Sequence, residues 1–310
     1  MYTRMLLHRI TGMAMIVSFL VGCSGPAAIA REAFMSSRKA MIHFLLPILA
    51  VLMVGCAASN TVESKSTSAQ EVIAEQGVQE WDLLWVSDSS GWGVAEIYGA
   101  YLAEDLGIKI NVMDKWMGWL AAGEILMPLK GEHTYNLDLE NMRAYFQEAE
   151  IIVIYGNPEG SISEDNPMDW NCGADGLHAC YVNSCGIETF ELYIEHLKEI
   201  YAIIFSEREG QPTMLRTFDA YNPRLVRQCT PDGAFDACLE CWENYNKAIH
   251  QAANEMGVPV ANVFDAWNGP DHREDPNDKG YTKDGVHPNE RGARVIADLL
   301  RATGYEMIIP

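Results

Sequence analysis

Three short segments carry residue types and spacings that can do chemistry. The first is Ser87-Asp88-Ser89-Ser90-Gly91-Trp92-Gly93. A serine in a turn between a strand and a helix can present its hydroxyl at a sheet edge, with backbone N–H groups of the helix start facing an oxyanion. The same residues also make a good turn and helix cap. The second is Tyr155-Gly156-Asn157-Pro158-Glu159-Gly160, where an asparagine amide can donate to an oxyanion or merely open a loop. The third is Asp284-Gly285-Val286-His287-Pro288. A histidine activates a serine by accepting its proton, and a carboxylate fixes the imidazole tautomer. A separation of three residues lets one turn fold the carboxylate back onto the ring.

The elements around these segments decide whether they meet. Short apolar runs predict strands over 82–87, 108–113, 151–155, 213–218 and 258–264. The run at 151–155, Ile-Ile-Val-Ile-Tyr, has the continuous apolar character of a central parallel strand. Helical spacing predicts helices over 94–106, 137–148, 188–207, 234–256 and 289–302, with Gly107 ending the first and Asp138 or a neighbour capping the second. Strands alternating with helices imply a parallel sheet covered on both faces. Each of the three segments then follows a strand, and ligands of open α/β sheets bind outside the carboxyl ends of strands. No internal repeat is visible in this region.

Taken together, the segments resemble the SGNH, or GDSL-type, hydrolase family. That family has a Gly-Asp-Ser block near its start, a glycine block, a Gly-x-Asn-Asp block and a closing Asp-x-x-His-Pro. Ser87-Asp88-Ser89 is similar to the first, with Gly93 at the following glycine, and Asp284-x-x-His287-Pro288 matches the last in full. The resemblance covers roughly residues 80–305. It implies a flavodoxin-like three-layer α/β/α sandwich of about five parallel strands. It also implies Ser89 as nucleophile, His287 as base and Asp284 as its orienting partner. The implied oxyanion donors are the N–H groups of Ser89 and Gly118, with Gly123 the competitor, and the side chain of Asn157. Ser87 stands where the family has glycine, as does Tyr155, and Pro158 stands where it has aspartate. No metal and no organic cofactor are implied. The activity implied is hydrolysis of a carboxylic ester, with a small-molecule or carbohydrate ester as substrate; Trp92, Trp116, Trp119 and Trp170 are candidates to stack on a sugar ring or to pack the core. The rival reading is a non-catalytic lipoprotein that binds a ligand in the same crevice.

Two apolar runs near the N-terminus each follow basic residues and end in Gly-Cys, at Cys23 and Cys56. Both are short for a bilayer span, which takes roughly 20 apolar residues. Both resemble the lipobox of bacterial lipoproteins, and two complete signals in tandem make little physical sense. The expectation is a start at Met35 or Met41, lipidation at Cys56 (Cys23 the alternative), and export to the outer face of a bacterial membrane. Residues 1–56 are then signal, 57–79 a polar disordered tether, and 80–310 the folded domain.

Net charge over the 310 residues is −21. The first 56 residues hold five basic and one acidic residue, leaving 17 basic and 42 acidic, a net of −25 for the remainder. Such a surface repels phosphate backbones, which argues against nucleic-acid binding, and fits a tethered monomer. Six cysteines lie outside the lipobox candidates: Cys172, Cys180, Cys185, Cys229, Cys238 and Cys241. An even count in an exported chain predicts disulfides, of undetermined pairing. Zinc is the rival at Cys238-Leu239-Glu240-Cys241, but a second Cys-x-x-Cys is missing. A redox-active dithiol is the third option.

Overall fold

The computed structural model describes residues 67–68, 80–118, 120–132, 139–158, 186–223, 225 and 235–310. Strands β1 (Glu80–Val86), β2 (Lys109–Asp114), β3 (Ile151–Ile154), β4 (Met214–Phe218) and β5 (Val260–Ala261) form one sheet in the order β2-β1-β3-β4-β5. All four pairings are parallel. Helices α1 (Val94–Leu106), α2 (Ala122–Leu129), α3 (Met142–Glu148), α4 (Glu191–Glu207), α5 (Phe235–Glu255), α6 (Val263–Asn268) and α7 (Glu290–Ala302) cover it. α1, α6 and α7 pack together on one side, and α2 to α5 on the other. This is the expected three-layer α/β/α sandwich, with the strand order of flavodoxin-like folds.

The core follows from composition. All four residues of β3 are buried, because a strand covered on both faces has no polar side. Fully burying each such side chain stabilises by roughly 1.5–3 kcal/mol. β4 is also wholly buried although it contains Arg216. That guanidinium donates to Thr303 Oγ1, Gly304 O, Glu306 O and Leu215 O at 2.8–3.0 Å. A buried cation needs such satisfaction, and here it ties β4 to the chain after α7. Burial holds the Arg216 pKa below its usual value. Thr67–Ser68 pair antiparallel with Glu306–Met307, so part of the expected 57–79 tether is a two-residue strand.

α1 has the expected limits, and Gly107 ends it in the left-handed region (φ 69°), its N–H on Ala103 O. Elsewhere the boundaries move. The segment expected as one strand over 258–264 pairs with β4 only through Val260 and Ala261, then turns into α6. The cause is Asp219 at the end of β4, whose Oδ1 accepts the Phe264 N–H at 2.8 Å and satisfies a helix-start donor. The helix expected from 137 begins at Met142; Asn141 is its N-cap and makes no side-chain capping bond, and Asp138 lies outside the described residues. The first turn of the helix expected over 188–207 is 3₁₀, at Ile187–Phe190. No helix was expected over α2, which contains Gly123 and Pro128. It forms because Ile125, Leu126 and Leu129 are buried in the layer that includes α4, and tertiary packing overrides weak propensity.

Candidate active site

The strand order reverses between β1 and β3, since the chain runs outward to β2 before crossing back. A crevice opens at such a point, at the carboxyl ends of the strands. The loops after β1, β2 and β3 meet there through backbone pairing. Asp88 bridges Met117, and Met117 N–H donates to Ser87 O at 2.9 Å. Asn157 bridges Ala121; its N–H donates to Leu120 O and its carbonyl accepts from Ala122 N–H, both at 2.9 Å. Gly156 permits this approach, because a Cβ there would stand 2.8 Å from Ala122 N and 2.9 Å from Ala122 Cα.

Ser89 opens a single 3₁₀ turn, Ser89–Gly91. Asp88 caps it: Oδ1 accepts Ser90 N–H at 2.7 Å and also the Ser90 hydroxyl. Ser90 is therefore committed to Asp88, and Ser89 is the serine left for the site. Its Oγ lies 3.1 Å from His287 Nε2, and His287 Nδ1 lies 2.7 Å from Asp284 Oδ2. The other carboxylate oxygen of Asp284 accepts Val286 N–H at 3.0 Å and His287 N–H at 2.8 Å. Asp284-Gly-Val-His287 is thus one turn folded around its own carboxylate. Burial pushes the Asp284 carboxyl up, but the bonds from the His287 ring and the two N–H groups outweigh it and hold the pKa at about 2. An ionised carboxylate on Nδ1 leaves Nε2 facing Ser89 as proton acceptor.

Ser87, at the resembled family's glycine position, is buried and accepts the Trp85 indole N–H at 2.7 Å. Tyr155, at another glycine position, is buried behind the serine loop; its hydroxyl meets Tyr245 at 2.5 Å and its ring stacks on Phe218. Burial raises its pKa well above the usual phenol value, so it stays protonated. Asn157 is nearly buried, and its side chain donates to Asp88. Burial raises the Asp88 pKa, opposed by hydrogen bonds from Ser90 and Asn157 and by the nearby His287. A side-chain amide is a donor of the kind an oxyanion takes. Gly118 sits directly after the Asp88–Met117 bridge, in the crevice loop, whereas Gly123 lies within α2.

Several contributors carried no local sequence signal. Tyr221, just beyond β4, donates to Val286 O at 2.9 Å and stacks on Trp267 at 3.7 Å. Asn289, the N-cap of α7, spans Gly280 O and Thr282 O. Lys283 lies over the Trp92 ring. Trp92 stacks on Trp116 (centroids 4.9 Å, 15°) and meets the His287 ring edge-on at 5.7 Å. Trp119 and Trp170 lie outside the described residues, as do Cys23, Cys56, Cys172, Cys180, Cys185 and Cys229. Cys238 and Cys241 lie buried on α5. Among the described residues no group of three or more His, Cys, Asp or Glu is placed to hold a metal. Among those same residues no helix is long and apolar enough to cross a membrane.

No protein-family model matches the chain, and no curated protein matches it. Solved structures similar to it include a protein from Lactobacillus plantarum (19% identity, 73% of this chain and 96% of that one, TM-score 0.43). An extracellular lipase from Streptomyces rimosus is 14% identical over 72% of this chain and 99% of that one, TM-score 0.45. Phospholipase A1 from Streptomyces albidoflavus NA297 is 11% identical over 72% and 99%, TM-score 0.44. The functional reading rests on the geometry of Ser89, His287 and Asp284 themselves.

Proposed function

We propose that this chain is a divergent SGNH, or GDSL-type, hydrolase: an extracytoplasmic serine esterase that cleaves a carboxylic ester through an acyl-enzyme. The observation that carries this is the unbroken relay from Ser89 Oγ to His287 Nε2 at 3.1 Å and from Nδ1 to Asp284 at 2.7 Å, set at the switch point of the sheet. Ser89 Oγ attacks the ester carbonyl carbon while His287 takes the hydroxyl proton. The Ser89 and Gly118 N–H groups and the Asn157 side-chain amide hold the oxyanion. His287 then returns its proton to the leaving alcohol oxygen as the carbonyl–oxygen bond breaks. Water, deprotonated by the same imidazole, releases the acid. The chemistry asks for no metal or organic cofactor.

Fluorophosphonate labelling and p-nitrophenyl acetate hydrolysis test this. Ser89→Ala is expected to lose both, while Ser90→Ala keeps labelling, since Ser90 serves Asp88. An unaltered chain that neither labels nor hydrolyses supports a ligand-binding module instead.

Export and anchoring belong to the same proposal. Cys56, or Cys23, is the acylated residue, and a carbohydrate ester outside the cell is the substrate class. The six remaining cysteines form disulfides; in support, Cys238 and Cys241 are buried and neither is a free thiol. Intact-mass analysis of the membrane fraction tests the anchor; a mature chain starting at Met1 rejects it.

A further inference from the structure

The three donors proposed for the oxyanion share one neighbour. Asp88 caps the serine turn through Ser90 N–H, bridges Met117 just before Gly118, and takes the Asn157 side chain on its carboxylate. The last contact decides how Asn157 is turned. An ionised carboxylate only accepts hydrogen bonds, so it keeps the donor end of the amide, not its oxygen, at the serine turn. A neutral carboxyl would also tolerate the flipped amide, whose oxygen would repel an oxyanion. Burial works against the ionised form and raises the Asp88 pKa.

What opposes that burial reaches back into the core. The Ser90 hydroxyl has one proton and gives it to Asp88 Oδ1. Ser90 Oγ can then only accept from the Tyr155 hydroxyl, to which it is hydrogen-bonded. The single Tyr155 proton is thereby engaged, so Tyr245 is the donor in the 2.5 Å bond between the two phenols. Three hydroxyl protons point one way, from Tyr245 to Tyr155, from Tyr155 to Ser90 and from Ser90 to Asp88. Buried hydrogen bonds chained in one direction polarise and strengthen one another. Tyr155 is the middle link, its ring stacked on Phe218 at 4.7 Å. Tyr193 donates to Gly156 O at 2.7 Å and secures the main chain between Tyr155 and Asn157.

We propose that Tyr155 is a positioning residue for ester hydrolysis: through Ser90 it sustains Asp88 as the carboxylate that turns the donor end of the Asn157 amide toward the oxyanion. This rests on the hydrolase reading and adds to it a residue that touches neither the ester nor the relay of Ser89, His287 and Asp284.

The test is Tyr155→Phe in the full-length chain, which keeps the ring and its stack and removes the hydroxyl. kcat for p-nitrophenyl acetate should fall about tenfold, the size of one hydrogen bond, with KM little changed. In a Ser90→Ala background the same substitution should cost about twofold at most, because the link it acts through is gone. The low-pH limb of kcat should move to higher pH in Tyr155→Phe, since the Asp88 carboxylate loses support. His287, Tyr193, Tyr221 and Tyr245 also face Asp88, and the substitution leaves all four in place. Equal losses in the two backgrounds, an unmoved limb, or a lower melting temperature with unchanged kcat overturn the assignment while ester hydrolysis stands. A native chain that neither labels with fluorophosphonate nor hydrolyses the ester removes the hydrolase reading instead. The side-chain amide resonances of Asn157 then read the hydroxyl chain directly. A shift in Tyr155→Phe upholds the coupling, and unshifted resonances overturn it.

Discussion

The loop after β1 and the loop before α7 supply the two halves of one relay, and they are held by different means. The serine loop is tied to its neighbouring loop by main chain, while the Asp88 side chain caps its turn. Met117 N–H bonds Ser87 O, Lys115 N–H bonds Trp85 O, and Asp88 bridges Met117. Its supporting side chains, Ser87 and Trp85, are buried. The base loop is closed by main-chain bonds between Lys283 and His287 and between Asn289 and Tyr281, and several side chains add to them. Asp284 caps its own turn, Tyr221 reaches Val286 O, and Asn289 spans Gly280 O and Thr282 O. Asp284 and His287 keep 46% and 30% of their side-chain surface exposed. Ser89, the proposed nucleophile, is thus placed by the sheet, and His287, the proposed base, by a polar loop clipped onto it. In the proposed reaction a nucleophile needs one rigid position, whereas a base that moves protons to and from solvent suits the wet edge.

This contrast predicts that single side chains matter more for the base loop than for the serine loop. The largest effect should come from His287→Ala, which lowers kcat about 10⁵-fold or more with the melting temperature little changed. Asp284→Asn should cost about 10⁴-fold in kcat by stabilising the wrong imidazole tautomer. Asn157→Ala should cost about 10²-fold to 10³-fold in kcat with a smaller change in KM, as loss of an oxyanion donor does. A pure KM effect there would remove Asn157 from that role.

Tyr221→Phe should be the smallest on stability, about 1 kcal/mol for one hydrogen bond. Its informative readout is kcat, which should fall several-fold while fluorophosphonate labelling of Ser89 slows in parallel. Unchanged kcat would show that the base loop holds its shape without this clip. The acid side offers an independent check. The Asp284 pKa is depressed in the fold, to about 2 from an ordinary 3.8. Its contribution to stability is therefore present above the ordinary value and lost as pH falls through the folded one. The melting temperatures of the native chain and Asp284→Asn should converge over that window, by a modest amount since the group is half exposed.

Much of this architecture was legible in one dimension. Ile-Ile-Val-Ile at β3 and the stripe from Val94 to Leu106 announce a buried strand and an amphipathic helix through period alone. Asp284 and His287 were readable because three residues make one turn. α6 was not legible, because Val-Phe at 263–264 has strand character and only Asp219, 45 positions away in sequence, turns it into a helix. Lys283 and Tyr221 were silent for the same reason: their partners, Trp92 and Val286, lie far off in the chain.

The sequence by itself determined the parallel α/β class and the residue types of the relay, because both rest on local periodicity and short-range turn geometry. Only the tertiary structure decided which of two adjacent serines faces the imidazole. Asp88 draws Ser90 into its cap, and the β2-β1-β3 pairing turns Ser89 toward a histidine 198 positions away. It also decided that Trp92 stands against His287, since that contact joins the segment before α1 to the loop before α7. Hydrogen bonds and ring contacts of that span depend on sheet order, which no stretch of sequence displays alone.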